Sequence, residues 1–88
     1  MYKYQYKNIN DKSGGEITIS ESGQVSVIAE NKTHQTFLVN YLSKITENGF
    51  TMSGRVVLRD PVRPGHPDFS KFVVQDLAAM GYEVKPEK

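Results

Sequence analysis

Cysteine is absent from the 88 residues. No disulfide can cross-link the chain, and thiolate metal ligands and thiol chemistry are excluded. A small domain without disulfides fits an intracellular compartment, so the cytoplasm is the expected location. Charge excess is missing too: 11 basic residues face 10 acidic ones, a net of +1. That argues against binding nucleic acid by bulk charge and leaves only a local basic patch. No apolar run approaches the roughly 18–20 residues of a membrane helix, and no membrane partner is expected. The opening MYKYQYK has charges but no apolar stretch behind it, unlike a secretory signal. The sequon Asn31-Lys32-Thr33 reads as a helix entry, since nothing else points to secretion.

Catalytic material is equally scarce. Without cysteine the nucleophiles left are serine and threonine, which need a nearby histidine and carboxylate. There are two histidines. His34 falls in the first turn of a helix and reads as a surface residue. His66 sits between Asp60 and Asp68, where a His–Asp pair could orient an imidazole for general-base work. No nucleophile elbow, glycine-rich phosphate loop or HExxH spacing accompanies it. No enzyme, cofactor or metal site is therefore expected. A small enzyme or anion binder centred on His66 is one alternative.

What is present is pattern. Hydrophobic residues are 38% and charged residues 24%, the balance of an ordered domain and not of a disordered tail. At this length one domain, 1–88, is expected. Residues 2–7, YKYQYK, alternate strictly: Tyr2, Tyr4 and Tyr6 face one way, Lys3, Gln5 and Lys7 the other. Asn10, Asp11, Ser13, Gly14 and Gly15 form a turn cluster. EITIS and QVSVIAE alternate again across a Ser22-Gly23 turn, so residues 1–30 read as a three-stranded meander.

The period then changes. Phe37, Leu38, Tyr41, Leu42 and Ile45 make one helical stripe over 33–48, with Asn31 or Thr33 as cap and Gly49 as stop. FTMSGRVVLRD reads as one strand over 50–59, with Phe50, Met52, Val56 and Leu58 inward and a bulge at Gly54. A proline-rich loop follows over 60–67. Asp68 caps a second helix over 68–80, whose stripe is Phe69, Phe72, Val73, Leu77 and Met80. Tyr82-Glu83-Val84 adds a short strand, and 85–88 is a tail. ITENGFTM and LAAMGYEV share one solution: a glycine cap, then an aromatic docking back on the last helical turn.

These elements predict an α+β two-layer sandwich: a mostly antiparallel sheet with two helices on one face, in the order β-β-β-α-β-α-(β). The other sheet face is then polar and mildly basic, and could gather Lys3, Lys7, Arg55 and Arg59. The tyrosines are expected in the core, on the side away from the lysines, which argues against a base-stacking platform. Arg63 and His66 stand on the stiff loop DPVRPGHPD, where Asp60 and Asp68 compete for the arginines.

Small cysteine-free α+β domains without a catalytic set suit regulators and inhibitors, including those carried by phages and mobile elements. The expected function is thus a non-catalytic interaction protein. It would bind a macromolecular partner, most naturally an acidic protein, through Lys3, Lys7, Arg55, Arg59, Arg63 and His66. The alternative from a second class is a nucleic-acid-binding module using Lys3, Lys7, Arg55, Arg59 and Arg63. The chain is expected as a monomer or as a homodimer through an edge strand, either the tyrosine strand or that near Val84.

Overall fold

A computed structural model describes residues 1–87. Four strands form the main antiparallel sheet: β1 (Tyr2–Asn8), β2 (Gly14–Ile19), β3 (Val25–Ala29) and β6 (Tyr82–Pro86). Their spatial order is β3-β2-β1-β6. Two further strands, β4 (Phe50–Ser53) and β5 (Val56–Val62), pair only with each other. Helices α1 (Lys32–Asn48) and α2 (Phe69–Ala79) complete the α+β fold. No helix among the described residues is long and apolar enough to cross a membrane.

The alternation of the first strand sets the layers. Tyr4 and Tyr6 are buried, with Ile17, Ile19 and Val27 beside them and Tyr82 and Val84 on the other flank. Leu38 and Leu42 of α1 and Phe69, Val73 and Leu77 of α2 close the same core. The tyrosines also anchor by their hydroxyls. Tyr2 packs its ring on Phe69, with centroids 4.9 Å apart, and accepts from the Gly65 N–H at 2.6 Å. Tyr4 bonds Ser70 at 2.9 Å. The Tyr6 hydroxyl is buried and finds no partner among the described residues.

Helix α1 starts where the sequon lies: the Asn31 side chain accepts from the Thr33 N–H at 2.9 Å. It stops at Gly49, whose φ of 81° lies where side chains clash. Gly81 repeats this device after α2 with φ 94°. The aromatic that follows each glycine, Phe50 and Tyr82, is buried.

Three expectations are corrected. The segment 50–59 is not one strand of the main sheet. Ser53 pairs with Val56 and Met52 with Val57, which leaves Gly54-Arg55 as a two-residue hairpin turn. Gly54 has φ 60°, so it supplies a turn of the kind that needs glycine first, and the register shift lies between Phe50 and Met52. Met52, Val56 and Val57 are therefore exposed, while Phe50 and Val62 at the hairpin base are buried in the core and Leu58 packs against it half-buried. Second, the tyrosine strand is central, and the strand near Val84 is one edge of the sheet, with β3 at the other. That strand runs on to Pro86, while Lys88 of the expected tail lies outside the described residues. Third, Asp60, Pro61 and Val62 of the expected loop belong to β5, so the loop proper is Arg63–Asp68.

Candidate interaction surface

The expected basic residues divide between two sheets. Lys3 and Lys7 lie on the outer face of the main sheet. Lys3 pairs with Thr18 in register, and Lys7 faces Glu83 on β6. Between them Gln5 sits opposite Glu16 on one side and Lys85 on the other. Cations and carboxylates thus alternate on this face, and no basic patch forms there. Arg55 and Arg59 are on the hairpin and Arg63 follows it. The expectation that Lys3, Lys7, Arg55 and Arg59 share one sheet face is overturned, because β5 never joins the main sheet.

The arginines are exposed, and among the described residues none of them forms an ion pair. Asp60 and Asp68 therefore do not neutralise them. Beside Arg55 in the hairpin stand the exposed side chains of Met52, Val56 and Val57.

The loop after the hairpin is shaped by bonds. The His66 N–H donates to the Arg63 carbonyl at 3.0 Å, and the Gly65 N–H is held by Tyr2. Asp68 takes the cap position of α2, but its side chain makes no capping bond. His66 does that work instead. Its Nδ1 accepts from the Asp68 N–H at 3.0 Å, and its carbonyl accepts from the Phe69 N–H at 3.1 Å. With Nδ1 an acceptor, the neutral ring presents Nε2–H outward. His66 makes no bond to Asp60.

The sequence reading missed a second polar cluster. His34 is not a free surface residue, since its side chain is only 17% exposed. Its Nε2 lies 2.7 Å from Asp11 Oδ2, and its Nδ1 2.8 Å from the Tyr82 hydroxyl. Asp11 also accepts from the Ser13 hydroxyl at 2.6 Å and the Ser13 N–H at 2.8 Å. These bonds hold the Asp11 carboxyl well below the usual carboxylate range, Ser13 contributing first and His34 after it. Buried Asn8 accepts from the N–H groups of Asn10 and Asp11 and fixes the turn. Asp11 and Ser13 were legible as turn residues. Their meeting with residues 34 and 82 needed the strand order.

The cluster joins a turn, a helix start and a strand, and both imidazole nitrogens are already engaged. Among the described residues no group of three or more metal-ligating side chains is arranged to hold an ion. His34 thereby latches the start of α1 to the Asp11 turn and to Tyr82. Set against protein-family models, curated proteins and solved structures, the chain matches none of them.

Proposed function

We propose that this chain is a non-catalytic interaction protein that binds and regulates or inhibits an acidic protein partner. The docking surface is the loop bearing Arg63 and His66 together with the hairpin arginines Arg55 and Arg59. The observation that carries this reading is that three guanidinium groups stay without a carboxylate on ordered backbone. A fixed loop loses little freedom on binding, so its contacts convert into affinity. A planar guanidinium matches a carboxylate bidentately. Lys3 and Lys7, interleaved with Glu16 and Glu83, are peripheral to it. A cysteine-free domain of this kind suits the cytoplasm.

The test is affinity capture from the source cell with the wild-type chain and with the Arg63→Ala/His66→Ala pair. One stoichiometric protein is expected with the wild type and none with the variant, while circular dichroism stays unchanged. Capture that survives in the variant would sink the assignment of the loop. Retention of nucleic acid that weakens steeply with salt would replace the protein partner with a nucleic-acid one.

A further inference from the structure

We infer that this chain forms a homodimer in which each β4–β5 hairpin tip seats in a groove of the other copy. The groove measures about 420 Å³ and lies between the hairpin and α2. Phe50 and Met52 form one wall and Phe72 and Ala79 the other, with Gln75 and Asp76 supplying polar atoms. The inference goes beyond the proposed function: it takes Arg55 into the dimer and leaves Arg59, Arg63 and His66 for a different protein.

Two features of one chain complement each other here. The hairpin tip presents Val56 and Val57, 65% and 73% exposed, and the groove walls are apolar. Two-stranded hairpins are marginal in water without an apolar face to pack against. The charges match as well. Arg55 at the turn makes no ion pair, and Asp76 in the groove has one carboxylate oxygen left after Oδ2 accepts from the Tyr41 hydroxyl. A tip cannot enter its own groove, because Met52 and Gly54 line that groove. The occupant that carries both the matching apolar tip and the matching cation is a second copy.

The hairpin tip fits the groove's length: two strand steps from Met52 to Gly54 span about 7 Å, within the roughly 10 Å that seven helical steps from Phe72 to Ala79 span. A twofold axis then lays two hairpins face to face, Met52 and Val57 against their counterparts, and brings each Arg55 to the other copy's Asp76. Such an interface is isologous and closes at two subunits.

Sedimentation equilibrium on the full chain tests this. A dimer is expected for the wild type. Arg55→Glu is expected to raise its dissociation constant at least roughly tenfold, as loss of a close interfacial charge pair does. Asp76→Lys should do the same, and Arg55→Glu with Asp76→Lys should restore the dimer. Since Asp76→Lys also removes the Tyr41 bond, Ala79→Trp provides a second route: it fills the groove without touching Tyr41 and should give a folded monomer with the wild-type circular dichroism spectrum. A monomeric wild type, a dimer indifferent to Arg55→Glu or Ala79→Trp, or a folded double variant that stays monomeric would each overturn the inference. Partner capture by the Ala79→Trp monomer, which keeps Arg55, Arg59, Arg63 and His66, reads the proposed function separately.

Discussion

His34 meets Tyr82 edge to face, with ring centroids 5.4 Å apart at 89°, while its Nδ1 bonds the Tyr82 hydroxyl at 2.8 Å. The two residues are 48 positions apart, and their meeting ties the start of α1 to β6. Asp11 completes the latch from the turn between β1 and β2.

The latch makes stability depend on acid. Asp11 is held below the ordinary carboxylate value, so it adds stability above the unfolded pKa of about 3.9. That contribution is lost as the pH falls from there toward the folded value. Asp11→Asn is expected to lower the melting temperature at neutral pH and to flatten its fall in acid. Parallel melting curves for the two proteins across the acid range would refute the assignment.

Base should act through the core. Burial raises the phenols of Tyr4, Tyr6, Tyr41 and Tyr82 above their ordinary value, and Asp76 raises Tyr41 further. Groups with raised folded values give stability that is complete below the unfolded pKa of about 10 and is lost as the pH climbs through the folded values. Tyrosinate absorbance for these four is expected to rise together with loss of circular dichroism. Their ionisation well before unfolding would contradict their burial.

Glycines test the close approaches. A Cβ at Gly15 would lie 2.2 Å from the Ile28 carbonyl oxygen and 2.7 Å from the Tyr6 ring. Neither can give way without moving β3 or the core, so Gly15→Ala should cost about 3 kcal/mol, the upper end for overpacking. Gly54 has open space around it and only the penalty of φ 60°, so Gly54→Ala should cost about 1–2 kcal/mol. Urea denaturation of the two variants gives the order, and a reversed order would contradict the packing at Gly15.

Phe69 supports two separate elements. It is fully buried, with Tyr2 at 4.9 Å and Phe50 at 5.8 Å between ring centroids. Phe69→Ala is expected to cost about 3–5 kcal/mol, a large share of the roughly 5–15 kcal/mol that holds a small domain folded. Equilibrium unfolding should show it, and native-state hydrogen exchange should show β1 and the hairpin base loosening together.

The sequence showed the fold most clearly where period and punctuation agreed. Tyr2, Tyr4 and Tyr6 announced a one-sided strand, and Asn31, Gly49 and Gly81 marked helix ends through backbone chemistry that acts locally. The hairpin escaped because a two-residue turn leaves apolar alternation nearly unbroken from Met52 to Leu58. Ser53-Gly54 carried the same turn signal as Ser22-Gly23, and only the second was read as a turn. Of the candidate site, the exposed Arg63 and His66 on a bonded loop were legible from three prolines in nine residues. The separation of Arg55 and Arg59 from Lys3 and Lys7 was not, since it depends on which strands pair across the whole chain. The same reason hid the latch at His34.

The sheet order has a bearing on synthesis. β1 lies between β2 and β6, and Tyr4 pairs across to Pro86. A chain emerging from the ribosome can close the β1–β3 meander early, but β1 keeps one flank of unpaired amides until residues 82–86 are out. Closure over so long a sequence separation is slow. During that interval the tyrosine strand is a ready template for any other strand nearby. Nascent chains arrested before residue 82 are therefore the form of this protein most in need of a chaperone.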